Sequence, residues 1–481
     1  MNFLSIQFAF FLGAAFAAFH LCPPRYRHVV LLVASYAFYF LSSQFVIVGI
    51  IGATVFTFFL AQALERKPSR DGGGKNFAPR MVIMGLAVAA LVCYLAFFKA
   101  IATLRPLLTD TATTFHWLAT FVSGNPLLPL GISYYTFRLI SYVVDVYWEK
   151  IPAERNFIYF ATYVSFFPQI LAGPIQRSGD FLEQIRSPRV TPAIMTEGLR
   201  RMLIGVVKKA VIADNLGYLV GLAYPSIQPL APSSSLLAFY LFPVQLYADF
   251  SALTDIAIGC SLLFGIRSPE NFDSPFSGTS ISQYWRRWHM SLTNWLKDYV
   301  FIPLRMATRQ AGNWGLAFSL MVNMILIGLW HNLSWTFFIF GVMHGVFLIV
   351  DAFTSRARAA FFKSHSQWDQ AANWIGPVFT FHLVALSSVF VRAESLPQAF
   401  DVLSRLFLFG PHFFEPLHSR DAVVGLCGLA AWILCELVRR RGWLVSLATA
   451  PVWARWALYY TVIAIVIKYG HSAEGFIYFK F

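Results

Sequence analysis

The chain has 481 residues, of which 57% are hydrophobic and only 12% are charged, and its formal net charge is +14. Soluble domains usually carry about 25% charged residues, so this composition excludes an ordinary soluble fold and predicts an integral membrane protein. The basic residues lie in short clusters between apolar segments, which is typical of cytoplasmic loops that face anionic lipid headgroups. The sequence shows no single basic face, so we expect membrane lipids as partners and no nucleic acid.

Apolar segments predict about a dozen membrane-crossing helices, because a bilayer core of about 30 Å needs roughly 20 apolar residues per helix. No basic region precedes the first segment, so we interpret it as a membrane helix rather than a removed signal peptide. Neither an internal repeat nor a separate soluble segment is found, and residues 1–481 are predicted to form one integral membrane domain. The predicted spans are Phe3–Phe19, Val29–Leu41, Phe45–Leu64, Met81–Ala100, Asn125–Trp148, Phe157–Ala172, Leu203–Ala223, Ser235–Phe264, Trp314–Trp330, Thr336–Phe353, Ile375–Phe390, Ala422–Val438 and Ala457–Lys468.

Two carboxylates, Asp249 and Asp255, lie in the strongly apolar segment Tyr247–Ile266. Charged side chains at membrane depth are costly and therefore tend to be functional. These carboxylates could orient a catalytic base, or pair with Arg286 or Arg287. A purely structural ion pair is an equally good interpretation.

The segment Asn271–Pro303 combines a polar loop with a run of aromatic and charged residues, and it predicts a helix from Ser282 onward. Residues spaced by three and seven share a helix face. The pattern suits an interfacial or half-buried helix anchored by tryptophans. The stripe on that face consists of Trp285, Trp288 and Trp295.

The same predicted helix would gather polar side chains on one flank. His289 lies three residues after Arg286 and four before Thr293, and Asp298 lies one turn beyond Asn294. These side chains could form part of a polar site. The alternative is an amphipathic surface helix that places His289 among the lipid headgroups.

The segment Asn323–His344 places His331 deep between apolar runs. A buried neutral imidazole can take a proton from a hydroxyl group, which is what a general base does. A packed histidine that donates to a nearby carbonyl is the alternative interpretation. His344 would lie about 220° around a continuous helix from His331, so the two face one site only if the helix breaks between them.

Motifs for several other functions are missing from the sequence. The five cysteines form no CxxC pair, so neither a disulfide framework nor a metal site is indicated. There is no P-loop, no GxGxxG at a strand–helix junction, no HExxH and no GxSxG, and ATP hydrolysis, redox chemistry and metalloprotease activity have no support. The residues alone leave two classes open: a transporter with a polar midplane site and a membrane enzyme that uses histidine. Transporters often show repeated halves, which this sequence lacks.

Sequence motifs along nearly the whole chain resemble those of the membrane-bound O-acyltransferase (MBOAT) family, in particular its bacterial alginate O-acetyltransferase-like branch. The most specific combination is YWRRWHMSLTNWLKDYVFIPL with GLWH and a following HG. Further matching stretches are RYRHVVLLVASYAFY, LPLGISYYTF, FFPQILAGPIQR, DFSALTDIAIGCSLLFGI, NFDSPF, FVRAESL and FIYFKF. The resemblance implies an all-α fold: a polytopic transmembrane helical bundle with short and re-entrant helices around a central polar tunnel.

The resemblance also implies roles for individual residues. His331 matches the essential histidine of the family, and His289 matches its second polar position, so both are predicted to be catalytic. Asp249 and Asp255 match the acidic pair of the family. The residues predicted to bind substrate or donor, or to support the site, are Asp249, Asp255, Arg286, Arg287, Trp288, Asp298, Asn323, Trp330 and His344.

The family chemistry implies a reaction between substrates from the two sides of the membrane. A cytoplasmic thioester, expected to be acetyl-CoA, would supply an acetyl group for O-acetylation of an exported polysaccharide, and no bound cofactor is expected. A separate periplasmic or membrane-anchored acetyltransferase is the expected partner in the bacterial inner membrane. D-alanyl transfer to teichoic acid, acyl transfer to peptidoglycan and transport without catalysis are the alternatives. The residues that could attract CoA phosphates, or merely set topology, are Arg177, Arg200, Arg201, Lys208 and Lys209.

Overall fold

The structure, a computed structural model, describes residues 3–43, 47–65, 77–111, 129–171, 173–224, 232–407, 419–440 and 450–471. All regular elements in these ranges are helical, which confirms the predicted all-α class. The helices are α1 (Ile6–Leu21), α2 (Arg27–Ser43), α3 (Ile47–Leu64), α4 (Phe77–Thr111), α5 (Ile132–Tyr147), α6 (Phe157–Ser165), α7 (Phe167–Ile170), α8 (Ser178–Arg186), α9 (Pro192–Val207), α10 (Asp214–Gly221), α11 (Pro232–Leu263), α12 (Ile281–Trp285), α13 (Met290–Leu296), α14 (Ile302–Ala307), α15 (Gly312–His331), α16 (Trp335–Ser364), α17 (Asp369–Arg392), α18 (Leu396–Ser404), α19 (Arg420–Arg440) and α20 (Val452–Tyr469).

Within the described ranges, 6 helices are long and apolar enough to cross a membrane, and two shorter apolar helices accompany them. Several predicted spans fall on these helices, and the prediction of a polytopic membrane protein is confirmed. The long apolar segments are Ile47–Leu64, Pro79–Ile101, Ser234–Leu263, Arg309–His331, Trp335–Ser364 and Ala371–Arg392, and the shorter ones are Ile6–Leu21 and Phe157–Ile170.

In the described ranges fewer helices are long and apolar enough to cross a membrane than the dozen or so predicted, and two predicted spans also differ in where the helix runs. The span predicted over Asn125–Trp148 is a helix only from Ile132 onward, and residues 125–128 lie outside the described ranges. Every residue of α5 except Ser133 and Tyr147 is buried, so protein rather than lipid surrounds this helix. The span predicted over residues 203–223 is interrupted by a π-helical turn over residues 208–213, which separates α9 from α10. Hydrophobicity alone does not reveal such a turn.

The chain divides into two compact units. The first comprises Met1–Met202, Ala257–Glu270 and Asn294–Tyr299, and the second comprises Leu203–Ile256, Asn271–Thr293 and Val300–Phe481. That the whole chain forms one domain stays a prediction.

The first unit is built around a buried arginine. Arg138 has no exposed surface, and its guanidinium donates to the carbonyl of Tyr163 and to the side-chain oxygen of Gln169. The guanidinium carbon also lies 4.4 Å from the ring centroid of Tyr134 and 4.9 Å from that of Tyr163. Hydrogen bonds and aromatic faces together replace the hydration of this cation.

The second unit contains a buried cluster of ion pairs on the π-helical turn. The Lys209 ammonium lies 2.7 Å from an Asp214 carboxylate oxygen and 2.7 Å from an Asp249 carboxylate oxygen, and these three side chains are at most 4% exposed. The neighbouring Lys208 pairs with Asp255 at 2.7 Å. Buried charges need such partners, because an isolated ion in an apolar surrounding is strongly destabilising.

Helices α15 and α16 of the second unit approach each other closely through glycines. A Cβ atom on Gly328 would lie 2.2 Å from the carbonyl oxygen of Phe337, and one on Gly341 would lie 2.7 Å from the carbonyl oxygen of Met324. Small residues allow this contact between neighbouring membrane helices. The contact holds the helix that ends at His331 against the helix that follows it.

We expect Lys209→Met to destabilise the protein strongly. The substitution leaves Asp214 and Asp249 without the shared cation, and removing one partner of a buried ion pair costs about 3–5 kcal/mol. The measurement is the apparent melting temperature of purified protein in detergent, together with the yield of monodisperse protein.

The matched control is Arg201→Met, because Arg201 pairs with Glu270 at the surface, with side-chain exposures of 31% and 50%. Exposed pairs contribute about 0–1 kcal/mol, so this variant should melt close to the wild type. Equal melting temperatures for the two variants would show that the buried cluster contributes no special stability.

Candidate active site

A helix break would be needed for His331 and His344 to face one site. The structure has such a break directly after His331. Helix α15 ends at His331, and the N–H of the extended residue Asn332 donates to the carbonyl of Gly328 at 3.3 Å. Ser334 then starts α16, since its hydroxyl oxygen accepts from the N–H of Phe337 at 3.4 Å. The chain therefore turns within three residues, with a capping hydrogen bond at each of the two helix ends.

His331 lines a partly open cavity in the second unit, and the empty space there, together with adjoining open solvent, is about 520 Å³. Its side chain is half-buried, so one side of the ring packs against protein and the other side faces the cavity. Ser388 adds a hydroxyl group to the lining, and the remaining wall is mostly apolar. The aromatic wall consists of Phe250, Tyr284, Trp285, Trp288, Phe337 and Phe340.

The helix predicted from Ser282 onward is wrong, because the chain breaks at His289. Helix α12 ends at Trp285, α13 begins at Met290, and His289 has a φ of 43°, in the left-handed region. Asn271 holds the break: its carbonyl accepts from the N–H of Met290 at 2.8 Å, and its side-chain oxygen accepts from Ser291 N–H at 3.2 Å. A non-glycine residue rarely adopts this conformation unless its surroundings enforce it.

The predicted tryptophan stripe is divided by this break. Trp285 and Trp288 line the cavity of the second unit. Trp295 lies in the first unit, where its Nε1 donates to the carbonyl of Phe137 at 2.9 Å. The three residues therefore do not share one helix face.

His289 lies behind the aromatic wall. Its ring centroid is 4.8 Å from that of Phe250, which lines the cavity, and 6.3 Å from that of Trp330. Only 5% of His289 is exposed, and burial lowers the pKa of its imidazole to about 3. A ring with that pKa is neutral at physiological pH. A catalytic role for His289 stays a prediction.

The two predicted carboxylates pair with lysines. Asp249 binds Lys209 and Asp255 binds Lys208, each at 2.7 Å. The alternative that these carboxylates pair with Arg286 or Arg287 is wrong. The alternative of structural ion pairs fits these contacts.

The predicted polar flank of the Asn271–Pro303 segment is also dispersed. Arg286 is exposed, and Arg287 pairs with Asp273 at 3.3 Å in the second unit. Asp298 belongs to the first unit, where it pairs with Arg177 at 2.9 Å. The helical spacing that would have joined these side chains is lost at the His289 break.

The remaining predicted site residues lie around the cavity or along α15. The ring of Trp330 lies against that of His331, with centroids 4.5 Å apart and planes inclined at 59°. His344 is buried and accepts a hydrogen bond from Trp285, a residue of the cavity wall. The side-chain oxygen of Asn323 is buried and accepts no hydrogen bond within the described ranges.

Sequence reasoning missed the residues that fix these groups in place. The sequence pattern indicates Asn271 only as the start of a loop, and Lys208 and Lys209 only as residues that attract CoA phosphates or set topology. Two adjacent lysines and Asp214 at the edge of an apolar segment are a signal for a buried ion pair, because unpaired charges are rare there. The hydroxyl of Ser387, which contacts His344 at 2.8 Å, carried no comparable signal.

We expect His289→Val to melt at a lower temperature than His289→Asn. Asparagine is enriched at positive φ, whereas a β-branched residue is strained there by about 1–2 kcal/mol. Both substitutions remove the imidazole, so their difference reports the backbone conformation. Equal melting temperatures in detergent would contradict a left-handed His289.

We also expect His289 to make the protein sensitive to acid. Its folded pKa of about 3 lies below the ordinary value of 6.5, so the unfolded state binds the proton first as pH falls. The contribution of His289 to the free energy of unfolding is fully present above pH 6.5 and is lost as pH falls toward 3. Melting temperatures measured between pH 7 and 4 should therefore fall less in His289→Asn than in the wild type, and parallel curves would refute this.

The comparisons with known proteins agree with the family resemblance. The sequence model of MBOAT, the membrane-bound O-acyltransferase family, matches residues 150–391. The probable alginate O-acetylase AlgI of Pseudomonas aeruginosa is 35% identical over 431 residues, which cover 89% of this chain and 78% of the relative. The peptidoglycan O-acetyltransferase of Helicobacter pylori is 31% identical, with 82% of this chain and 76% of the relative covered.

A third relative matches a smaller part of the chain. The teichoic acid D-alanyltransferase of Bacillus subtilis is 31% identical over 277 residues, covering 53% of this chain and 66% of the relative. Together with the family match and the long apolar helices, these similarities establish that the chain belongs to the membrane-bound O-acyltransferase family and is a multi-pass membrane O-acyltransferase.

Proposed function

We propose that this enzyme takes an acetyl group from a cytoplasmic thioester, acetyl-CoA, for O-acetylation of an exported polysaccharide, with His331 as the general base. The observation that carries the proposal is the position of His331, half-buried in the wall of a cavity that otherwise consists mainly of aromatic and aliphatic side chains. The alginate O-acetylase and peptidoglycan O-acetyltransferase among its relatives point to acetyl as the group transferred.

The proposed reaction needs one neutral imidazole. The unprotonated ring nitrogen of His331 accepts the proton of an acceptor hydroxyl as its oxygen attacks the thioester carbonyl carbon. The tetrahedral intermediate collapses, the carbon–sulfur bond breaks, and the departing thiolate takes the proton from the imidazolium. The imidazole is thereby regenerated, and no cofactor or net proton is required.

The composition of the cavity wall supports acyl transfer over hydrolysis. Six aromatic side chains line the cavity, and an apolar wall disfavours stray water at the thioester. Ser388 is a second polar group in the lining, and its hydroxyl donates to the carbonyl of Val384 at 2.7 Å. We therefore assign the base to His331 rather than to a serine-centred mechanism.

The coverage of the relatives favours acetyl over D-alanyl transfer. The alginate and peptidoglycan acetylating relatives match 89% and 82% of this chain, whereas the teichoic acid D-alanyltransferase matches 53%. Among acceptors, the higher identity of the alginate relative favours an alginate-like polysaccharide over peptidoglycan. Peptidoglycan is the second candidate acceptor.

The predicted phosphate-binding residues are largely engaged in ion pairs. Lys208 and Lys209 pair with carboxylates in the second unit, and Arg177 and Arg201 pair with carboxylates in the first. These contacts favour a structural or topological role over recognition of CoA phosphates. We keep acetyl-CoA as the proposed donor because of the acetyl-transferring relatives.

The cellular setting follows from the same proposal. An enzyme that draws acetyl groups from cytoplasmic metabolism and serves an exported glycan would lie in the bacterial inner membrane. A separate periplasmic or membrane-anchored acetyltransferase is the proposed partner that completes transfer to the polymer.

The test is acetyl transfer by purified protein in detergent, with radiolabelled acetyl-CoA and oligosaccharide acceptors. The wild type should transfer the acetyl group or slowly hydrolyse acetyl-CoA. The rate of acetyl transfer by His331→Ala should be lower by a factor of at least about 100, as expected when a general base is lost. Alginate and peptidoglycan fragments compared side by side identify the acceptor.

His365→Ala is the matched control, because His365 is exposed and contacts Ser364 and Phe361 at its own helix end. It should retain the wild-type rate. An unchanged rate in His331→Ala would remove His331 from the mechanism, and activity only with a D-alanyl thioester would overturn the acetyl assignment.

A further inference from the structure

A hydrogen-bond chain runs behind the cavity wall through His344. The indole Nε1 of Trp285 donates to Nδ1 of His344 at 3.2 Å, and Nε2 of His344 lies 2.8 Å from the hydroxyl oxygen of Ser387. The Ser387 hydroxyl in turn donates to the carbonyl of Val384 at 2.9 Å. All four residues belong to the second unit.

The donors and acceptors allow one direction along this chain. An indole Nε1 can only donate, so Nδ1 of His344 must accept and carries no proton. The Ser387 proton is directed to the carbonyl of Val384, which leaves the Ser387 oxygen to accept from Nε2 of His344. His344 is therefore a neutral imidazole with its proton on Nε2, and both ring nitrogens are engaged.

This arrangement excludes His344 as a second base. A base needs a nitrogen lone pair that reaches the substrate, whereas the Nδ1 lone pair of His344 is directed to Trp285. His344 is 1% exposed and lies behind the cavity lining rather than in it.

His344 instead contacts three side chains of the wall that it backs. Besides the bond to Trp285, its ring centroid lies 4.6 Å from that of Phe340 and 6.4 Å from that of Tyr284, in near-parallel orientation to the latter. All three side chains line the cavity that contains His331. A change at His344 would therefore shift one wall of the cavity without touching the substrate.

We propose that His344 is a positioning residue, which fixes the Trp285 indole as the wall against which the acyl donor is held opposite His331. The assignment rests on the proposed function of the His331 cavity. It differs from a packing role in one respect, because it depends on the direction of the hydrogen bonds as well as on the volume of the ring. A misplacement of about 1 Å in such a site can cost about 100-fold in rate.

The kinetic test compares His344→Leu with His344→Gln. Leucine removes both hydrogen bonds, and kcat for acetyl transfer should fall about 10- to 100-fold while the KM for acetyl-CoA changes less than about threefold. The fraction of acetyl-CoA lost to hydrolysis should rise, because a displaced indole admits water. The glutamine amide offers one acceptor and one donor, and this variant should recover much of the lost kcat.

A double-mutant comparison locates the effect at the indole. Trp285→Phe removes the indole that donates to Nδ1, so adding it to His344→Leu should lower kcat little further, whereas independent effects would multiply. His382→Leu is the matched control. Like His344, His382 contacts the polar group of an aromatic side chain, here the hydroxyl of Tyr240 at 3.2 Å, but His382 is exposed. It should leave both kcat and the hydrolysed fraction unchanged.

A spectroscopic readout needs no enzymatic activity. Protein labelled with 5-fluorotryptophan gives a ¹⁹F resonance for Trp285, which Trp285→Phe identifies by its disappearance. That resonance should shift in His344→Leu, return toward the wild-type position in His344→Gln, and stay in place in His382→Leu.

Each outcome bears on one assignment. An unshifted Trp285 resonance, or a normal kcat in His344→Leu, overturns the positioning role. A loss of kcat that glutamine fails to restore, with unchanged hydrolysis, identifies His344 as a packing residue and also overturns it. Inactivity of the wild type with acetyl-CoA refutes the proposed function, while the ¹⁹F result still decides whether His344 sets the indole.

Discussion

The turn between His331 and Trp335 is the feature on which the cavity depends. A helix end is stabilised where its terminal backbone groups find partners. Here the N–H of Asn332 donates to a carbonyl of the preceding helix, and the hydroxyl oxygen of Ser334 accepts from an N–H of the following helix. The turn leaves the imidazole of His331 at the end of one helix and starts the next helix beside it. Close glycine contacts between the two helices keep that end in place, so the geometry is set by backbone packing before any substrate binds.

The polar groups of the second unit fall into two physical kinds. Asp249 and Asp255 are charged, buried and neutralised by lysines, which suits them to fixing helices in an apolar surrounding. His331 and Ser388, in contrast, line the cavity. Resemblance to the family treats the acids and the histidine as one constellation, whereas the contacts separate a scaffold of ion pairs from a group with room for a substrate.

The sequence was sufficient for the membrane class, the all-helical fold and the family, because these depend on hydrophobic periodicity and local motifs. It also showed that His331 and His344 could act together only across a helix break, and the break is present. The predicted continuous helix over residues 282–296 is wrong, because helical periodicity cannot show that Asn271 holds His289 in a left-handed conformation. Neither could it pair Lys209 with Asp249, since forty residues separate them and only the folded chain brings them together.

The Lys209–Asp249 pair has a consequence for the assembly of this protein in the bilayer. A carboxylate alone in hydrocarbon costs several kcal/mol, so insertion of α11 is unfavourable while Asp249 lacks a cationic partner. In the folded chain the Lys209 ammonium lies against Asp249 and also against Asp214, which follows Lys209 at the end of the π-helical turn. The pair therefore ties the stability of α11 in the bilayer to a turn that lies forty residues earlier in the chain.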